Sequence, residues 1–167
     1  MKKILEWIKP ILIAIVIALV INNFIIINVI IPTSSMENTI QVKDRGVAFR
    51  LSYLFSDPER GDIVVFDANY KDVLLVKRVI GLPGDVVEIK DGEVLVNHEV
   101  LDEPYVKEAM LGEFGPYEVP SGQYFMLGDN RNNSKDSRDW DNPYIERSLI
   151  RGKFLFKYFP SIEVLGG

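Results

Sequence analysis

The chain has 167 residues, no cysteine, a single histidine and a net charge of −5. That length suffices for one membrane anchor and one compact domain with its own core. The missing cysteines exclude disulfides, thiolate metal sites and cysteine nucleophiles, and an acidic balance with no run of Lys and Arg excludes a general nucleic-acid binder.

Residues 11–31 are nearly all Ile, Val, Leu, Ala and Phe, bracketed by Pro10 and Pro32. As a helix this block is long enough to cross the hydrocarbon core. Asn22, Asn23 and Asn28 interrupt it without adding charge, which draws residues 19–29 toward the outer interface. A cleavable leader has a shorter apolar core followed by small residues, and Ile-Ile-Ile-Asn-Val-Ile-Ile supplies none, so an uncleaved anchor over 10–32 is expected. Lys2, Lys3 and Lys9 against Glu6 precede it. Cationic flanks stay in the cytoplasm, which puts residues 1–9 inside and the acidic 33–167 outside.

Beyond Lys43 the pattern is one of short β-branched runs. Gly61-Asp-Ile-Val-Val-Phe, Val73-Leu-Leu-Val-Lys-Arg-Val-Ile, Val86-Val-Glu-Ile, Glu93-Val-Leu-Val, Tyr124-Phe-Met-Leu-Gly and Gly152-Lys-Phe-Leu-Phe-Lys-Tyr-Phe are separated by Gly, Pro, Asn and Asp. No long amphipathic helix follows the anchor. The expectation is one mostly β, compact antiparallel domain of Greek-key or barrel-like type, with loops over 51–59 and 106–118.

His98 falls in an Asn97-His98 turn between two short strands, the place of an exposed turn residue. Any Ser-His-Asp mechanism or zinc site would depend on this one residue. Two other stretches carry more chemistry. Pro32-Thr-Ser-Ser-Met-Glu-Asn-Thr-Ile sits directly after the anchor, either as a spacer or as a serine held at the membrane surface. In the strand Leu75-Val-Lys-Arg-Val-Ile-Gly, alternation puts Lys77 and Arg78 on opposite faces, so one cation points toward an apolar layer unless both faces are wet. A buried lysine has a lowered pKa and can act as a base; the alternatives are pairing with a carboxylate or reaching to water. A third stretch, Leu127-Gly-Asp-Asn-Arg-Asn-Asn-Ser-Lys-Asp-Ser-Arg-Asp-Trp, is dense in charge and hydroxyls. Its spacing does not match a calcium-binding helix-loop-helix.

Ser35-Met36, Arg60-Gly-Asp-Ile-Val-Val-Phe, Lys77-Arg-Val-Ile-Gly-Leu-Pro-Gly-Asp and Gly128-Asp-Asn-Arg-Asn-Asn-Ser-Lys-Asp-Ser-Arg, in this order behind an anchor, resemble the motif boxes of bacterial type I signal peptidases, in the compact Gram-positive-like form. The resemblance implies a membrane-bound serine endopeptidase that removes signal peptides from exported preproteins after small-x-small sites. It assigns Ser35 as nucleophile and Lys77 as general base. Ser134 would hold the lysine amine, and Thr33 would give a hydroxyl to the oxyanion hole. Asp129, Arg131, Asp136 and Arg138 would brace the site, with Asp136 and Arg138 as an ion pair. Ile31, Met36, Ile40 and Val76 would line a shallow substrate pocket. The partners implied are signal-peptide-bearing preproteins and the lipid bilayer, with no nucleic acid, metal or organic cofactor, and the place is the cell membrane, crossed once. Lysine rather than histidine at the base position marks the bacterial branch. The other readings are a self-cleaving Ser-Lys peptidase of the SOS-repressor kind, which the anchor and the missing DNA-binding helix pair oppose, and a catalytically inactive anchored β-module that binds preproteins. One departure stands out: Asn38 replaces the proline usual three residues after the nucleophile. Its loop is therefore expected to be more mobile than in the relatives, and Asn38→Pro to keep or modestly raise turnover; the alternative is that Asn38 makes a side-chain hydrogen bond to the loop backbone, in which case the proline variant loses activity.

Overall fold

The structure, a computed structural model, describes residues 2–68 and 73–165. Met1 and residues 166–167, the outermost parts of the expected cytoplasmic and extracytoplasmic segments, lie outside the described residues. The first element is a helix, α1 (Lys2–Val20), continued by a π turn over Ile21–Ile25. Trp7–Ile25 is long and apolar enough to cross a membrane, and none of it is buried against protein.

The helix differs from the one expected over 10–32 at both ends. The helix starts well before Pro10, and the apolar block leaves helical geometry after Ile25 to become β1 (Ile26–Ile30). The physical reason lies in the side chains. A run of Ile and Val suits lipid and a half-buried strand equally, and here period two wins: Ile27, Val29 and Ile31 are buried, while Asn28 and Ile30 face out. The anchor thus feeds a strand of the β unit with no linker between them.

Among the described residues eleven further strands follow: β2 (Arg45–Phe49), β3 (Ile63–Asp67), β4 (Leu74–Gly81), β5 (Val86–Lys90), β6 (Glu93–Val96), β7 (Glu99–Val100), β8 (Phe114–Glu118), β9 (Gln123–Leu127), β10 (Tyr144–Glu146), β11 (Ile150–Phe159) and β12 (Glu163–Val164). They form an eight-stranded sheet in the order β1-β2-β11-β3-β4-β9-β10, with β12 on β11, and a four-stranded sheet β7-β6-β5-β8. Every pairing is antiparallel, so the mostly β architecture expected from the strand pattern is the one observed. Within the stretches expected as loops, residues 50–53 make a 3-10 turn and Phe114–Glu118 forms β8. β8 was hidden because Gly115 and Pro116 break the β-branched pattern on which strand recognition rests.

Alternation sorts the core into clusters. Val65 and Val76 pack with Ile27, Val29, Ile31, Met36 and Ile40, whereas Val64, Phe66, Leu75 and Val79 pack with Met126 and Ile145. Ile80, Val87 and Phe125 join the two sheets. Fully burying each of these large side chains contributes roughly 1.5–3 kcal/mol. His98 sits where the sequence put it. Asn97 and His98 both have positive φ, 54° and 69°, as a two-residue hairpin turn requires, and the imidazole is exposed against Glu88, 3.0 Å away.

Candidate active site

Two chain segments meet at the site because a turn and a strand end side by side. After β1, residues 34–40 close in a tight turn: Glu37 N–H bonds Ser34 O (3.0 Å), and the N–H groups of Thr39 and Ile40 both reach Met36 O (2.8 and 2.6 Å). Met36 and Ile40 are buried and hold the turn down. The loop after β9 grips the same turn from outside. Asn130 N–H donates to Ser35 O (3.0 Å), and the Asn130 amide donates to Ser34 O (3.1 Å). Gly128 is obligatory here: a Cβ would collide with Ser134 Oγ and lie 2.5 Å from Ser35 O.

The two adjacent serines differ in what occupies their hydroxyls. Ser34 Oγ accepts from the Asn133 amide at 2.9 Å. Ser35 Oγ makes no hydrogen bond to a described residue, and it opens on a cavity of about 320 Å³ lined by residues 29–36, 73–77, Asn133 and Lys135. Thr33 also lines this cavity and is exposed. Of the expected pocket residues, Ile31, Met36 and Val76 reach the cavity; Ile40, fully buried in the core cluster, does not.

Lys77 is 3% exposed and lines the same cavity. Its amine donates to Ser134 Oγ at 2.9 Å. Burial pushes its pKa down to about 8; the nearby Arg138 lowers it too, against the opposing pull of the Asp136, Asp129 and Asp139 carboxylates. At neutral pH about a tenth of the molecules therefore carry an uncharged amine here.

The bracing charges form three buried pairs. Arg138 grips Asp136 through Nε and Nη2 (2.8 and 2.9 Å), and Asp136 also accepts Gly128 N–H (3.0 Å). Arg131 pairs with Glu103 at 2.7 and 2.5 Å. Asp129 is held by Arg78 in a two-pronged pair (2.8 and 2.7 Å), and Arg78 also donates to Gly61 O at 2.7 Å. The Arg60-Gly-Asp motif is thereby tied to the other two: Arg60 pairs with Asp85 at 3.1 Å. Sequence reasoning placed Arg78 only as the neighbour of Lys77, and it missed Glu103, Gly128, Asn130 and Asn133. Alternation around Lys77 was the signal available for Arg78; the others depend on contacts across more than twenty residues.

Asn38 makes the side-chain bond of the alternative reading: its amide donates to Asp129 O at 2.8 Å, and Thr39 Oγ1 donates to the Asp129 carboxylate. A side-chain tie does here what ring stiffness would do.

A desolvated amine able to take a proton, sharing a cavity with an unengaged serine hydroxyl, is the chemistry of a serine hydrolase. Comparison with known proteins agrees. The family described as signal peptidase, peptidase S26, matches residues 4–159. The chain is 42% identical over 163 residues to a probable signal peptidase I-2 of Synechocystis, covering 93% of this chain and 73% of that one. It is 37% identical over 169 residues to a signal peptidase I of Bacillus licheniformis, covering 95% and 90%. A crystal structure of a signal peptidase I from Enterococcus faecalis superposes with a TM-score of 0.52 at 32% identity, covering 59% of this chain and 97% of that one. The chain belongs to the signal peptidase S26 family, as a membrane signal peptidase and serine endopeptidase.

Proposed function

We propose that Ser35 and Lys77 form the catalytic dyad of this peptidase. The uncharged Lys77 amine takes the Ser35 proton as the hydroxyl attacks the scissile carbonyl, and the resulting ammonium passes that proton to the leaving amine. Water, activated by the same amine, then releases the acyl group from Ser35. The observation that carries this reading is the desolvated Lys77 amine, fixed by Ser134 in the cavity that holds the free Ser35 hydroxyl. The Ser35 N–H and the Thr33 hydroxyl, neither engaged by a described residue, supply the oxyanion hole, a feature worth a few kcal/mol in related chemistry.

The substrate is an extended signal-peptide segment. β1 is an edge strand, and β9 pairs with β4 only from Arg78 onward, which leaves the edge of residues 74–76 without a strand. Both open edges line the cavity, so a peptide strand laid between them gains main-chain hydrogen bonds on each side. Ile31, Met36 and Val76 leave room beside the scissile bond for small side chains. The Lys-bearing N-terminus stays in the cytoplasm, the chain crosses the membrane once, and the β unit works on the outer side.

The test is cleavage of a labelled preprotein by the detergent-solubilised protein. Ser35→Ala is expected to abolish cleavage with normal membrane insertion, and Ser34→Ala to retain it. An active Ser35→Ala beside an inactive Ser34→Ala would move the nucleophile to Ser34.

A further inference from the structure

We infer that Glu103 and Tyr105, on the loop between β7 and β8, are positioning residues for the Lys77–Ser134 contact, an inference that rests on the dyad reading above. The loop reaches from the smaller sheet to the back of the site. There the Glu103 carboxylate takes both Arg131 guanidinium nitrogens at 2.7 and 2.5 Å, with side chains 8% and 1% exposed. The Tyr105 hydroxyl donates to the same carboxylate at 2.7 Å. The Tyr105 ring lies 3.7 Å over the Arg78 guanidinium. Two neighbouring residues therefore hold both arginines at once.

Those arginines lead directly to the dyad. Arg78 follows Lys77 on β4 and fixes Asp129. Arg131 closes its loop by donating to Gly128 O at 3.1 Å, and its own carbonyl accepts from Arg138 at 2.6 Å. Ser134 ends the 3-10 turn that Arg131 begins. A displaced Arg131 carries Ser134 away from the Lys77 amine. Burial and the Glu103 charge push the Tyr105 hydroxyl up, so it stays a donor to Glu103 over the whole working range. Neither residue lines the cavity beside Ser35, so they act on the dyad through the arginines rather than from within that cavity.

The consequence is a specific kinetic pattern. Loosening the Ser134 contact misplaces the base and admits water to Lys77. Rehydration removes the leading cause of its low pKa and moves the acidic limb of the rate profile to higher pH. The charges facing Lys77 are those of Asp136, Arg138, Asp129 and Asp139, so such a movement on changing Glu103 is positional rather than a direct charge effect.

The experiment measures kcat, KM and the pH profile of the full-length protein for Glu103→Gln and Tyr105→Phe, with Lys77→Met alongside. Tyr105→Phe keeps the ring over Arg78 and is expected to fold. Glu103→Gln is expected to lower kcat about tenfold with KM changed less than about twofold, and to move the acidic limb upward; Tyr105→Phe is expected to do the same to a smaller extent. Folded variants that lose thermal stability but keep kcat and the limb would reduce the loop to a structural prop and overturn the inference. A raised KM at unchanged kcat overturns it too, because it makes the loop a substrate contact. Cleavage surviving in Lys77→Met would instead overturn the dyad itself.

Discussion

Lys77 and Arg78 are adjacent on β4, are both 3% exposed, and have opposite surroundings. On one face of the strand the amine of Lys77 meets a neutral hydroxyl at 2.9 Å. On the other face Arg78 meets a carboxylate through two bonds, a carbonyl through a third and an aromatic ring above. Desolvation alone decides little, since both cations suffer it. What differs is compensation. The guanidinium is compensated by a full opposite charge, held through two bonds. Among the described residues the amine bonds directly to a hydroxyl alone, the pull of the nearby Asp136, Asp129 and Asp139 carboxylates does not offset its burial, and it releases its proton more easily. The strand thus pairs a structural cation with a reactive one, and the reactive one is the less well compensated.

The comparison breaks most sharply if Lys77 is given a side chain that cannot lose or take a proton. Lys77→Met is expected to lower cleavage by at least about a thousandfold, the scale on which essential members of such catalytic units act. The same variant should be more stable than the wild type. Folded Lys77 has a pKa of about 8 against 10.5 in an unfolded chain. Between those values the unfolded state holds a proton that the folded state has given up, so wild-type stability rises with pH across that window. Below pH 8 both states are charged and the folded one bears the whole cost, about 3 kcal/mol. Lys77→Met should show its stability gain at pH 7 and lose it above pH 10.5, as followed by thermal unfolding. The acidic limb of wild-type kcat/KM should fall near pH 8. A limb near 10 would show Lys77 to be compensated like its neighbour.

The other side of the comparison predicts a loss where Lys77 predicts a gain. Arg78→Met leaves the Asp129 carboxylate buried without its two-pronged partner, and breaking a buried pair in this way costs about 3–5 kcal/mol. Chemical denaturation at pH 7 measures it. If Arg78→Met proved as stable as the wild type, the ion pair would be no better compensated than Lys77, and the contrast between the two faces would fail.

How much of this was legible in the sequence follows from the range of each interaction. β3, β4, β5, β6, β9 and β11 announce themselves because alternation and turn residues are local. Lys77 stood out because a cation on each face of a β-branched strand forces one inward. The end of the anchor did not show, because Ile26, Ile27 and Val29 satisfy lipid and a sheet core alike; only pairing with β2 decides it. Glu103 reads as one more loop carboxylate until folding sets it against Arg131, 28 residues away. Ile40 came with Ile31, Met36 and Val76 as what the resemblance implies for the pocket, and a motif position alone does not distinguish a residue lining the cavity from one buried behind it. Which of the two readings of Asn38 holds was not legible either, because its partner carbonyl lies 91 residues further along.

Asn38 gives the smallest expected effect and the finest test of how the reactive face is held. The turn bearing Ser35 is tied to the loop after β9 by Asn130, by Asn133 on Ser34 Oγ, by Thr39 Oγ1 on the Asp129 carboxylate and by the Asn38 amide on Asp129 O. The Asn38 N–H donates to no described backbone carbonyl, so proline at this place breaks no main-chain bond of the turn. It does remove the amide tie, a loss of about 1 kcal/mol for a partly buried hydrogen bond. Against that, proline restricts the unfolded chain, a gain of roughly 0.4–1 kcal/mol where the backbone accepts it. The two terms nearly cancel, so Asn38→Pro should melt at or slightly below the wild-type temperature, while Asn38→Ala, which loses the tie and gains nothing, should melt lowest. Turnover should follow the tie rather than the stiffness and fall a few-fold in both variants, with the cleavage site unchanged. Thermal midpoints and kcat of the three proteins decide the matter. A proline variant faster than the wild type would show that stiffness at position 38 matters more than its bond to Asp129. Equal turnover in all three would leave Asn130, Asn133 and the Thr39 bond to Asp129 to hold the serine in place.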